Sequence, residues 1–180
     1  RLNYNGVPGL RVGASFYYCA NTTANSDKLV EYSFRAPLRI YTVDAQYKNS
    51  VVTARANFMW GSLTNSDRVS SVNTKLSNQS PYTRVVPVAH KAVSYGAEVG
   101  LNLAGIFRGA NVPAIYPFAR YDYYNPQKQC EGLYIEDHRC EVSKWTAGVN
   151  WYALPNLVIK ADYSTRQIGT SKMFGKGKYN

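Results

Sequence analysis

The feature that most constrains this chain is an alternation of apolar and polar residues, sustained in runs of about ten residues. One such run places Val52, Ala54, Ala56, Phe58 and Trp60 at alternate positions, with polar or small residues between them. Successive side chains on a β-strand point to opposite faces, so a period of two predicts strands. The period is two throughout the chain, and no helix is expected.

The alternation predicts an all-β chain of about eight strands that forms one β-barrel segment over residues 1–180. Several runs exceed the length of strands in soluble sheets and match the ~9–11 residues that cross a bilayer at a tilt. The predicted strands lie near residues 1–4, 10–20, 38–48, 51–63, 92–107, 114–125, 143–154 and 157–169.

The connections between these strands alternate in length. Long segments at 21–37, 64–91 and 128–142 are separated by short turns such as Asn49-Ser50. Outer-membrane barrels pair short periplasmic turns with long external loops in this way. Both chain ends would then emerge outside, which predicts an interior segment of a larger antiparallel up-and-down barrel. A complete eight-stranded barrel is the alternative.

Aromatic residues favour a membrane barrel over a soluble sheet. The chain has 16 Tyr, and its aromatic residues gather toward strand ends, where interfacial girdles lie in barrels. The mean hydropathy of −0.36 does not argue against this, because only alternate residues of a barrel strand face lipid. A soluble β-sandwich with an aromatic-rich core, acting as a binding module, stays open as the alternative fold.

The net charge of +10 excludes little by itself. The basic residues form no cluster and no nucleic-acid-binding motif is visible, so no nucleic-acid partner is expected. His90 and His138 lie in predicted loops without a Ser or Asp constellation, so we expect no catalytic residues and no enzyme.

Charged residues fall on the polar face of the strands, which would line a water-filled lumen. Basic wall residues lower the barrier for anions and acidic ones raise it. Solvated wall charges that only keep the lumen wet are the simpler interpretation. The predicted pore-lining residues are Arg11, Arg55, Glu98, Arg120, Asp122, Lys144, Lys160, Asp162 and Arg166.

The longest loop, residues 64–91, has four basic residues against the single acid Asp67. If it folds into the barrel it would constrict the pore, whereas an exposed surface loop is the default. The constriction candidates are Arg68, Lys75, Arg84 and Lys91.

Cys130 and Cys140 fall in one predicted external loop, and a disulfide between them is the favoured interpretation. His138 lies between them, but two Cys and one His at this spacing match no standard zinc pattern, so neither a metal nor a cofactor is expected. Cys19 is left without an assigned role.

A succession of short motifs resembles a known family. They are Gly9–Gly13, Pro117–Asp122, Ala147–Tyr152, Pro155-Asn156 and Lys160–Tyr163. In this order and spacing they are similar to the later half of the phosphate-selective porins O and P, and the likeness touches about two-thirds of the chain. The resemblance implies a barrel of about sixteen strands, often trimeric, in the outer membrane of a Gram-negative bacterium.

The resemblance also implies passive uptake of anionic or other small hydrophilic solutes. The sequence therefore predicts a porin with a modest preference for anions such as phosphate. Its partners would be membrane lipid, lipopolysaccharide, its solutes and two further copies of the chain in a homotrimer. A non-conducting outer-membrane scaffold or a surface receptor is the alternative function.

Overall fold

A computed structural model of the chain describes residues 1–23, 34–77, 87–107, 114–154 and 156–170. Its strands are β1 (Leu2–Val7), β2 (Leu10–Cys19), β3 (Leu38–Lys48), β4 (Val52–Leu63), β5 (Lys91–Leu101), β6 (Ala114–Gln129), β7 (Val142–Leu154) and β8 (Leu157–Ile168). The helices are α1 (Ser66–Ser77), α2 (Leu103–Ile106) and a 3-10 turn at His138–Cys140. None of the helices in these ranges combines the length and the apolar character that crossing a membrane requires.

All eight strands form one sheet in chain order, and each pairs antiparallel with the next. The register is regular in the middle of the sheet, where Ala45 lies opposite Ala56 and Ala56 lies opposite Ala97, and it shifts near the ends of the β1–β2, β5–β6 and β7–β8 pairs. The prediction of an all-β, antiparallel up-and-down architecture is confirmed. Within the described residues β1 and β8 do not pair with each other, so the sheet is open, as expected of part of a larger barrel.

The two faces of the sheet have exposures opposite to those of a soluble protein. On β7 the side chain of Trp145 is 59% exposed, whereas its polar neighbour Thr146 is 8% exposed. The same holds on β5, where Tyr95 and Val99 are exposed and Gly96 is buried between them. The polar side therefore lies on the concave side of the sheet, and the apolar side faces outward.

The outward face carries large apolar side chains over its whole width, which a protein in water would bury. Those exposed include Phe16, Tyr41, Val43, Phe58, Tyr95, Val99, Trp145, Val149, Trp151, Ile159 and Tyr163.

Many of the outward aromatic rings lie in contact near the end of the sheet that carries the long connections. The rings of Phe16 and Tyr41 are 4.9 Å apart, and those of Tyr41 and Trp60 are 5.5 Å apart. Rows of this kind are typical of the aromatic girdle at a membrane interface.

The short turns have the backbone geometry and hydrogen bonds that their Gly and Asn residues favour. At the β1–β2 turn Gly9 has φ +80°, and a Cβ there would collide with the Lys48 carbonyl oxygen. At the β3–β4 turn the Asn49 side chain accepts from the backbone N–H groups of Val51 at 2.8 Å and Val52 at 2.6 Å.

The expectation of no helix is wrong for residues 64–91, because α1 forms there. Its Ser-rich sequence has weak helix propensity, so tertiary contacts decide whether the helix forms. Val69 and Val72 are buried with Phe34 and Ala36 from the preceding long connection.

The predicted strand 92–107 is also too long. β5 ends at Leu101, and Asn102 starts α2 instead, where its side chain donates to the Ser50 carbonyl at 3.0 Å. Conversely β6 extends past the predicted 125 to Gln129.

Candidate pore wall

The strand register arranges the concave-face charges in two rows across the sheet. One row runs Arg11, Gln46, Arg55, Glu98, Arg120 from β2 to β6. The adjacent row, two residues nearer the long connections, runs Asp44, Asn57, Gly96, Asp122, Lys144, Arg166 from β3 to β8. Alternation along each strand puts Lys160 and Asp162 of β8 on the same face. All of the residues predicted to line the pore therefore share the concave face; that they line a pore stays a prediction.

The acidic residues of these rows are mostly held in ion pairs. Arg120 binds Asp122 through two contacts, Nε to Oδ2 at 2.7 Å and Nη2 to Oδ1 at 2.9 Å. Arg55 lies 3.2 Å from Glu98 across the β4–β5 pair. Gly96 makes room for this arrangement, because a Cβ there would lie 2.8 Å from Asp122 Oδ1.

The cations that remain free lie mainly on β7 and β8. In the part of the chain that the structure describes, Lys144, Lys160 and Arg166 have no carboxylate partner, and neither does Arg11. Arg120 and Asp122, two residues apart on β6, thus neutralise each other locally. The corresponding pair Lys160 and Asp162 makes no ion pair here.

A concave cleft of about 340 Å³ lies over these side chains. It is lined by Arg55, Glu98, Arg120, Asp122, Lys144, Lys160 and Asp162, with Phe118, Thr146 and Asn150 between them. Fixed charges in a water-filled concavity raise the local concentration of counter-ions. Because the acids are largely paired and the β7–β8 cations are not, the wall presents a net positive surface to a solute.

The residues predicted to form the constriction do not lie in one common element. Arg68 and Lys75 lie on α1. Arg84 lies outside the described residues. Lys91 is the first residue of β5 rather than part of a loop, and it pairs with Ser62 and Gln129 on the outward face. The placement of Lys91 in the loop is therefore wrong, and strand alternation puts it on the outward face, whereas a role in a constriction is untested.

α1 is anchored among the long connections at this end of the sheet. Glu131 accepts from the Ser66 backbone N–H at 2.9 Å and from its hydroxyl at 3.2 Å, which places a carboxylate at the positive end of the helix. The same carboxylate lies 3.6 Å from His90 Nδ1, and Asn65 donates to the Arg35 carbonyl at 2.7 Å. Sequence reasoning missed Glu131, since its role depends on a helix 65 residues away. Whether α1 narrows a pore stays a prediction.

The predicted disulfide is not formed in the structure, where Cys19, Cys130 and Cys140 are free thiols. The Cys140 thiol lies 3.7 Å from Gln127 Oε1 and donates to it. Burial raises the pKa of both the Cys130 and the Cys140 thiols, and the Glu136 carboxylate raises that of Cys130 further. Both sulfurs are thus held as thiols at neutral pH. Among the described residues no group of His, Cys, Asp and Glu is arranged to hold a metal ion.

One family model matches part of the chain. Residues 113–173 match the model described as phosphate-selective porin O and P. This part of the chain resembles that porin family. The match covers β6, β7 and β8, about a third of the chain, and includes the free cations Lys144, Lys160 and Arg166. No curated protein and no solved structure gives a significant match.

The resemblance predicted from sequence is confirmed over the matched range. Of the motifs that carried it, Gly9–Gly13 lies outside that range and Pro155 lies outside the described residues. The family match over β6 to β8 and the outward-apolar sheet agree with part of a porin-type β-barrel.

Proposed function

We propose that this sheet is part of the wall of a porin in the outer membrane of a Gram-negative bacterium, through which small hydrophilic solutes diffuse passively with a modest preference for anions such as phosphate. The observation that carries this is the contrast between the two faces: exposed apolar side chains on the convex side, free cations on the concave side. The first suits lipid and the second suits a wet lumen.

We infer the preference for anions from a difference between the acids and the cations of the concave face: most of the acids are in ion pairs, whereas several cations are not. Asp44, Glu98 and Asp122 each contact an arginine, so they repel anions weakly. Lys144, Lys160 and Arg166 keep their charge available to a passing solute, and among the described acids of this face Asp162 alone has no ion pair and opposes them. Charged rings of one sign on a pore wall select ions of the other sign.

The open edges at β1 and β8 favour further strands on both sides, in a barrel of about sixteen strands. The outward face would contact membrane lipid, with lipopolysaccharide at the aromatic rim. A homotrimer is the assembly we propose from the porin resemblance. A non-conducting scaffold or surface receptor would share the convex face but has no need of free cations on the concave one.

The test is the reversal potential of the full-length protein in a planar bilayer under a salt gradient. We expect stepwise openings and a potential that favours the anion. Lys144→Gln should shift the potential toward the cation, whereas Arg39→Gln should leave it unchanged, because Arg39 lies on the outward face beside Tyr18. Folded, inserted protein that does not conduct would refute the pore and leave a scaffold or receptor.

A further inference from the structure

The concave face changes character toward the long connections. Two residues beyond the row of Asp122 and Lys144, the next row contains Met59, Ser94 and Tyr124. Further out, Ile40 and Leu38 follow on β3. Polar residues would be expected here in a porin lumen. The outer part of the concave face instead mixes apolar side chains such as Ile40 and Met59 with the polar Thr42 and Ser94.

These residues line a cleft of about 430 Å³. Leu38, Ile40 and Met59 line it, together with Leu63 and Val88. Leu63 and Val88 also pack against the buried cluster under α1, so this wall is fixed by the fold. We call this cleft the mouth cleft. Its volume lies within the ~300–1,000 Å³ of small-molecule sites.

The apolar surface of the mouth cleft has no partner within the described chain. Met59 is 44% exposed and Tyr124 is 42% exposed, although both lie on the concave side. Lipid cannot cover them there, because acyl chains contact the convex face. An apolar concavity beside water is favourable only when a ligand covers it.

Free cations adjoin the mouth cleft on one side. Arg166 Nη2 donates to the Tyr124 hydroxyl at 3.4 Å, and Lys144 lies opposite Arg166 across the β7–β8 pair. Asp122 is the cross-strand neighbour of Lys144, but its carboxylate is occupied by Arg120. Glu131 lies at the N-terminus of α1, where its carboxylate contacts Ser66 and His90. An apolar cleft and a positive edge therefore meet at Tyr124.

We propose that the mouth cleft binds small organic anions that carry a short apolar group, with this group beside Met59 and Tyr124 and the anionic head at Arg166. The proposal rests on the pore function above and narrows its solute class. An inorganic anion fills only the positive edge, whereas an aryl or alkyl phosphonate or carboxylate fills both parts.

The test is calorimetric titration of phenylphosphonate and of methylphosphonate into the full-length protein folded in detergent micelles, with protein-free micelles as the blank. The two probes share a head group and differ in apolar area. We expect phenylphosphonate to bind about tenfold more tightly, from the water-exposed area that its ring covers. Met59→Ser should remove most of this preference by weakening the binding of phenylphosphonate.

Two more variants separate the apolar and the ionic parts. Arg166→Gln should weaken both probes, and Arg39→Gln, which removes the same charge from the outward face, should weaken neither. Ile40→Ser replaces Met59→Ser if the latter does not fold. Equal affinities for the two probes, or a preference that survives the serine variants, would overturn the proposal.

Failure of this proposal is distinguishable from failure of the pore, because binding is measured without a bilayer. Anion-selective channels with equal affinities for the two probes would keep the porin and reject the mouth cleft. A phenyl preference without conductance would keep the mouth cleft as a ligand site and reject the pore.

Discussion

The assignment of the two faces can be tested with one pair of arginines on β3. Val43 is the middle residue of β3 and lies on the outward face between Ala14 and Phe58. Its side chain is 47% exposed, so nothing in the sheet would shield an arginine there from lipid. An arginine at the midplane of a barrel costs about 2–4 kcal/mol. Val43→Arg should therefore lower the folding equilibrium constant by about 30- to 1,000-fold.

Thr42 supplies the matched control, since it is adjacent in sequence but faces the concave side between Ser15 and Met59. Thr42→Arg should change the free energy of unfolding by no more than about 0.5 kcal/mol. The measurement is urea unfolding of the full-length protein in lipid vesicles, followed by tryptophan fluorescence. Equal costs for the two variants, or a larger cost for Thr42→Arg, would show that the convex face does not contact lipid.

Three further predictions concern the turns, the helix cap and the thiols. Gly9→Ala should destabilise the protein by about 1–2 kcal/mol in chemical denaturation, because alanine is strained at positive φ. Gly61→Ala should be nearly neutral in the same assay, since the nearest atom to its new Cβ is 4.0 Å away. Glu131→Ala should destabilise α1 by about 1 kcal/mol and speed amide exchange there while the sheet stays protected. Alkylation of Cys130 and Cys140 should accelerate about tenfold per pH unit up to a pH above the ordinary thiol pKa of about 8.5; a plateau near pH 7 would contradict their raised pKa values.

The strands could be predicted from the sequence because one local rule governs them. Phe58 and Trp60 had to share a face whatever their partners were, and Arg55 and Asn57 had to take the other. Chain-order pairing then puts Arg120 between Glu98 and Thr146 without any long-range information. The concave-face residues of the candidate site follow from the same rule.

The remaining features depend on contacts that no local pattern contains. α1 needs Phe34 from one connection and Glu131 from another, so its weak helix propensity gave no signal. Lys144 makes no ion pair with its cross-strand neighbour Asp122 because Arg120 already binds that carboxylate. The sequence does contain a signal of the mouth cleft. Ile40 and Met59 are apolar at positions where the alternation predicts polar residues.

Each described strand pairs only with its neighbours in the chain, and this affects how such a wall can evolve. A hairpin can be gained or lost without breaking any other strand pair, provided that the two strands on either side can pair with each other. Duplication of a hairpin would widen the circumference by two strands and copy both the lipid-facing and the solute-facing residues that it carries. The circumference of the barrel and the charge of its wall can therefore evolve together, one hairpin at a time.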